Sequence, residues 1–289
     1  MAISLEEVRR RILIALFSDD ELMDELVLKG GNALALIYKI GARASVDMDF
    51  SIQAVFANIE KTGEQIFRSL KREFRSIGYE VFDEKFEIKP SKRGRDQPEW
   101  WGGYAVEFKL VERALYDELR NDIDALRRRA EELGPLHKRK YTIDISQNEF
   151  CEGKVEREID DYTIYVYSLE MIAVEKLRAI CQQMPEYKFG NKSPRARDFY
   201  DIFQIATKDG IDLTSKENLK LLSAVFAAKQ VPIGLLEEIS KHRDFHALDW
   251  PSVDASISGP HDTFDGYFNF VVKLASDIQA ARIKYPPIT

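Results

Sequence analysis

Cysteine is scarce in this chain: Cys151 and Cys181 are the two among 289 residues, too few for a disulfide framework, and neither has a partner at metal-ligand spacing. That excludes a small disulfide-stapled scaffold and a thiolate zinc module, and it fits a reducing compartment. Long apolar runs are missing too. The run from Ile12 to Phe17 is too short for the core of a signal peptide, and nothing approaches the ~20 apolar residues of a membrane span. The expectation is a cytoplasmic protein with no membrane partner. Positive charge is not in surplus: 42 Lys and Arg face 49 Asp and Glu, leaving -7. This excludes a general polycation that coats nucleic acid, though not a local basic site. The four histidines are dispersed, and His242 and His246 share an i,i+4 spacing without a third zinc ligand, so they are read as structural.

What the chain does have is the balance of an ordinary folded protein, 45% apolar and 31% charged. At ~150 residues per domain its length predicts one large domain or two modest ones. Ser4 with Glu7 three residues on is a capping box that opens a helix through about Phe17. Leu26-Val27-Leu28 leads into Lys29-Gly30-Gly31, and the pattern from Asn32 to Tyr38 is helical. Val46 to Phe50 alternates with period two, as a strand does, and Ile59, Ile66, Phe67, Leu70, Phe74 and Ile77 mark one face of a long helix. Strands are predicted at Tyr79 to Ile88, Tyr104 to Val111 and Tyr141 to Ile145, with one helical stripe through Leu115, Leu119, Ile123, Leu126 and Leu133. After a strand from Thr163 to Tyr167, helical patterns run to the end. The fold class is α+β: a mixed sheet with flanking helices over residues 1–155, then a helical domain over residues 156–289.

Chemistry points to one constellation. On a strand, residues i and i+2 face the same way, so Asp47 and Asp49 project together while Val46, Met48 and Phe50 pack the other side. Adjacent carboxylates repel unless a cation or a proton compensates. A pair of Mg²⁺ ions about 3.5–4 Å apart is the usual compensation in phosphoryl and nucleotidyl transfer. Asp144, between Ile143 and Ile145, supplies a third oxygen ligand if its strand pairs beside the first. Upstream, Gly30-Gly31 at a helix start lets backbone N–H groups approach a phosphate closely, and Asn32 adds an amide donor. Read alone, the same residues are a tight turn and a solvated strand face. Taken together they favour a metal site.

The ordered set Lys29-Gly30-Gly31-Asn32-Ala33-Leu34 and Arg43-x-Ser45-x-Asp47-x-Asp49-Phe50 resembles the AbiEii/AbiGii toxin family of nucleotidyltransferases, within the DNA polymerase β-like superfamily. Two later segments agree with it: Ser168 to Ala179, which contains Glu175-Lys176, and Arg195-x-Arg197-Asp198-Phe199-Tyr200-Asp201. The resemblance implies a nucleotidyltransferase-like first domain and a helical second domain that brings its Lys and Asp motifs to a shared cleft. By that resemblance Asp47, Asp49, Lys176 and Asp198 are the catalytic residues, and Mg²⁺, with Mn²⁺ as the alternative, is the cofactor. Metal binding falls to Asp47 and Asp49, with Asp144 as a third candidate ligand. Nucleotide binding falls to Gly30, Gly31, Asn32, Lys176 and Arg197. Lys176 is a point charge suited to a triphosphate, with Glu175 orienting it. Asp198 either holds Lys176 or takes a proton from the acceptor hydroxyl. The superfamily commonly has Ser or Thr where this chain has Asn32.

The implied reaction moves a nucleoside monophosphate from an NTP to RNA, at a tRNA 3′ end, as the toxin of a toxin–antitoxin or phage-defence pair with a cognate antitoxin encoded nearby. Two rivals stand beside it: transfer to a small molecule or a protein hydroxyl, and a catalytically idle binding module. Residues 185–197 hold Lys188, Lys192, Arg195 and Arg197 against Glu186 alone. They read either as a solvated connection or as a clamp for triphosphate or RNA backbone.

Overall fold

Apolar residues at alternate positions build the sheet, and the computed structural model describes residues 3–40, 47–92, 98–119, 121–132, 137–208 and 210–285. The chain divides into two units. One draws on Met1–Asn32, Ala44–Asn148 and Val155–Val166, the other on Ala33–Arg43, Glu149–Lys154 and Tyr167–Thr289. Residues 155–166 thus go with the sheet, because the strand they end on pairs with the one before the glycines.

The seven strands are β1 (Val27–Leu28), β2 (Met48–Ser51), β3 (Tyr79–Lys89), β4 (Gly103–Glu112), β5 (Tyr141–Ser146), β6 (Lys154–Ile159) and β7 (Tyr162–Tyr167). Their order is β3-β4-β5-β2-β1-β7-β6. β2 runs parallel to β5 and antiparallel to β1, while β1 runs parallel to β7, so the sheet is mixed, as expected from the sequence. The short strand that carries Asp49 is therefore the middle one of seven. Its pleat sinks Met48 and Phe50 completely and leaves Asp49 half-buried on the opposite face. Behind it, the helices Leu5–Phe17 and Ile59–Ser76 close the core, with the Phe17 and Phe50 rings 6.3 Å apart and those of Phe74 and Phe108 6.1 Å apart. Ser4 caps the first helix as its spacing predicts, its Oγ accepting from the Glu7 N–H at 3.1 Å.

Three details differ from the sequence expectation. The stripe from Leu115 is broken into two helices, Arg113–Leu119 and Ile123–Arg129, because Asp122 caps the second by accepting from the Ala125 N–H at 2.9 Å; Leu133 lies outside the described residues. The strand expected from Val46 starts at Met48, and Val46 likewise falls outside them. β6 was not expected, since its residues are mostly charged and exposed. It is joined to β7 by Asp160 and Asp161, both at positive φ (47° and 66°), a conformation that Asp tolerates in a two-residue hairpin turn.

In the helical unit, Leu169–Cys181, Ala196–Ala206, Lys216–Ala228 and Phe264–Lys284 are the long helices. Phe199 stacks on Phe268 at 5.3 Å and meets Phe264 edge-on at 5.5 Å, and Phe264, Tyr267, Phe268, Val271 and Ala275 are buried along the last helix. Among the described residues no single helix is long and apolar enough to cross a membrane.

Emptying the place that Phe50 fills behind the carboxylate strand should be expensive. Phe50→Ala is expected to lower stability by about 3–5 kcal/mol, read from urea unfolding midpoints; a loss under about 1 kcal/mol would contradict the packing described.

Candidate active site

Register decides what shares a face in the sheet-bearing unit. Asp49 pairs directly with Asp144 across the parallel β2–β5 ladder, flanked by Met48↔Ile143 and Phe50↔Ile145. Opposed residues on neighbouring strands present their side chains to the same side, about 4.8 Å apart in the hydrogen-bonding direction. The condition set for Asp144, that its strand lie beside the first, is thus met. Asp47 stands one residue before β2. Asp144 keeps contact with solvent, yet its surroundings raise its pKa above the usual carboxylate range. Desolvation is the larger cause and the charge of Asp47 the next, partly offset by Lys89 and Lys29. Among the described residues, no three His, Cys, Asp or Glu side chains stand close enough to hold a metal by themselves. The donor set is one or two carboxylates that need phosphate and water oxygens to complete a shell. Mg²⁺ is commonly held that way and Ca²⁺ or Zn²⁺ is not, so the residues fit the group that the resemblance implies.

The glycine turn is built against these acids. Gly30 has φ +69°, and a Cβ there would stand 3.0 Å from Asp49 Oδ2, so both its conformation and its closeness require glycine. Gly31 follows in the same short helical turn, Gly30–Asn32. Asn32 departs from its expected place. It is 0% exposed, and its Nδ2 donates to the backbone carbonyl of Asp47 at 2.5 Å. The amide is thereby turned inward to fix the loop that carries Asp47, where a phosphate contact would need it to face out. The Arg43 and Ser45 of the motif lie outside the described residues.

The second set forms in the helical unit. Ser168 caps the helix of Lys176, accepting from the Met171 N–H at 3.2 Å. Lys176, 5% exposed, places its Nζ 2.8 Å from Asp198 Oδ1 and 2.7 Å from Asp201 Oδ2. Burial alone would lower the Lys176 pKa, but the two carboxylates hold it above the usual lysine range. Burial would raise that of Asp198, but Lys176 and then Arg195 pull it below the usual carboxylate range. The contact in which Asp198 holds Lys176, one of the two roles read from the sequence, is present.

Glu175, expected to orient Lys176, pairs instead with Arg178 at 3.1 Å, because Lys176 already has its two aspartates. Arg178 also bonds Glu149 at 3.0 Å, and Lys229 stands 3.6 Å from Glu149. This second buried charge cluster had no signal in the sequence, since no spacing rule links residues 149, 178 and 229. In the basic loop Lys188, Lys192 and Arg197 are all exposed, and Lys192 is tied down by donating to the carbonyls of Tyr187 and of Gln182, the latter at 2.7 Å. Arg195 is half-buried, 3.6 Å from Asp198.

The start of the helix that bears Asp198 depends on His246, read from the sequence as structural, and on Asp249, which sequence reasoning did not select. The Ala196 N–H donates to Asp249 Oδ1 at 3.0 Å, and the Arg195 N–H donates to His246 Nδ1 at 3.1 Å. His246 is fully buried and accepts at Nδ1, so its neutral form is the one the fold uses. Burial, and then His242, bring its pKa down from 6.5 to about 4.

The profile of one protein family, described as nucleotidyl transferase AbiEii toxin of a type IV toxin–antitoxin system, matches residues 11–269. No curated protein matches the chain in sequence at a significant level. Among solved structures, a Helicobacter pylori protein assigned to the nucleotidyltransferases overlays with a TM-score of 0.51 at 18% identity, over 97% of this chain and 96% of its own. JHP933, also from Helicobacter pylori, overlays with a TM-score of 0.50 at 18% identity, over 96% and 92%. At these identities the likeness speaks for the fold.

A histidine whose pKa falls from 6.5 to about 4 on folding binds its proton more readily in the unfolded chain. Its contribution to stability is therefore complete above about pH 6.5 and is lost as the pH falls towards 4. Between pH 7.5 and 4.5 the protein should lose on the order of 2–3 kcal/mol more than His246→Asn, in which the amide oxygen takes the place of Nδ1. Equal losses in the two proteins, by urea titration at each pH, would contradict the assignment.

Proposed function

The chain belongs to the AbiEii nucleotidyltransferase toxins of type IV toxin–antitoxin systems, and we propose that it transfers a nucleoside monophosphate from an NTP to RNA, at a tRNA 3′ end, with Mg²⁺ at the carboxylates beside the glycine turn. Family membership makes it a transferase and the toxin of a pair with a cognate antitoxin. The observation that carries the finer proposal is the opposed register of Asp49 and Asp144 on parallel strands, with Gly30 closed against Asp49.

In this account Asp47 and Asp49 hold the metal, and Asp144 adds negative charge beside them. When bound, Mg²⁺ supplies neutralisation of phosphate charge and activation of the attacking hydroxyl. The chain's own groups do the rest. Asn32 fixes the backbone of Asp47, so that the carboxylate does not have to be ordered when the nucleotide arrives. The backbone N–H groups at Gly30 and Gly31 receive phosphate oxygens, since no side chain stands between them and the ligand. Within the helical unit Lys176 is kept charged by Asp198 and Asp201, and Arg197 is exposed; the part of both in nucleotide binding rests on the family resemblance. The tRNA acceptor and a place in phage defence rest on the family resemblance.

Induced expression of the chain is expected to arrest growth. Asp49→Ala, folded by circular dichroism, should relieve the arrest and lower transfer roughly a thousandfold. A variant that stays folded and equally toxic would sink the link between these carboxylates and toxicity.

A further inference from the structure

One charged side chain on the carboxylate face has no part in the account so far. Lys29 directly follows β1, and its backbone N–H donates to the Asp49 carbonyl at 2.9 Å. Its neighbour Leu28 pairs with Phe50 on the core side, so Lys29 falls on the side of Asp49. It is 7% exposed, and its Nζ donates to Ser146 Oγ on β5 at 3.0 Å. β5 and β1 flank β2, so the lysine stem lies across the carboxylate strand. Ser146 is two residues beyond Asp144, on the same face and about 7 Å along the strand. A buried ammonium is thereby locked onto the acidic face beside the proposed metal position.

We infer that Lys29 is a positioning residue of the metal site: its ammonium, fixed on Ser146, balances Asp144 and weakens the hold of the carboxylates on a free divalent cation. The inference rests on the Mg²⁺ reading of Asp47 and Asp49. Without a compensating cation, the three acids would attract a bare metal ion more strongly and repel one another when it left. With Lys29 in place, part of that negative field is already spent, and the phosphates of the incoming nucleotide become needed partners of the metal. A lysine that merely tied β1 to β5 would act through packing alone, and its loss would loosen the site.

The two cases differ in sign. Binding of Mn²⁺ alone to the full-length protein, followed by electron paramagnetic resonance, is the readout, with circular dichroism to confirm folding. Lys29→Met should tighten Mn²⁺ binding about tenfold, the effect of losing one positive charge about 7 Å along the strand from Asp144, and Asp144→Asn should weaken it by a similar factor. The double variant, in which the pair is removed together, should lie within about threefold of the natural protein. Unchanged or weaker binding in a folded Lys29→Met would overturn the inference. If that single variant does not fold, the double decides: affinity like the natural protein supports it, and affinity like Asp144→Asn overturns it. If the natural protein binds no Mn²⁺ with or without NTP, the metal reading of Asp47 and Asp49 fails, a result distinct from an unresponsive Lys29.

Discussion

Like charges on neighbouring strands repel, yet the middle of this sheet sets Asp49 directly opposite Asp144 and puts Asp47 one residue away. Such a face is sustained only by the structure around it. The opposite side of the same strand is fully buried through Met48 and Phe50, which fixes the register, because a slip of one residue would turn the acids into the core. Gly30 comes within van der Waals reach of Asp49, Asn32 pins the carbonyl of Asp47, and Lys29 brings an ammonium across the strand to Ser146. Each of these contacts makes sense as support for a cluster of negative charge that the fold alone would not favour.

The helical unit solves a related problem by other means. Lys176 is buried between Asp198 and Asp201, and Arg178 between Glu149 and Glu175, so each of these two cations taken out of water is met by two carboxylates. Buried pairs of this kind are weak evidence for stability, since desolvation opposes most of the Coulombic gain. They do hold side chains in one protonation state and one orientation. The start of the Asp198 helix is fixed in the same spirit, by a neutral histidine and Asp249 that accept from its first backbone N–H groups.

Much of this was legible in the sequence where a local period carries the information. The strands Tyr79–Lys89, Gly103–Glu112 and Tyr141–Ser146 and the helix Ile59–Ser76 follow from alternation and from a three-to-four-residue stripe. The common face of Asp49 and Asp144 follows from the pleat once the strands pair. The two family motifs in the helical half lead to Lys176 and Asp198, which the structure brings to 2.8 Å. Tertiary partners were not legible. Nothing near Asn32 announces that its amide turns in to Asp47, and nothing near Glu175 that Arg178 outbids Lys176 for it. His246 and Asp249 cap a helix some fifty residues earlier in the chain. β6 was hidden because an edge strand of charged, exposed residues has no apolar alternation to read.

The account rests most directly on the transfer reaction itself. The purified protein would be incubated with Mg²⁺, total RNA and each of the four α-labelled NTPs in turn, beside Asp49→Ala. The result expected is label from a preferred NTP in a tRNA-sized band, absent with the variant. Label that never enters RNA, from a protein that still binds NTP, would contradict the RNA acceptor and point to a small-molecule or protein hydroxyl.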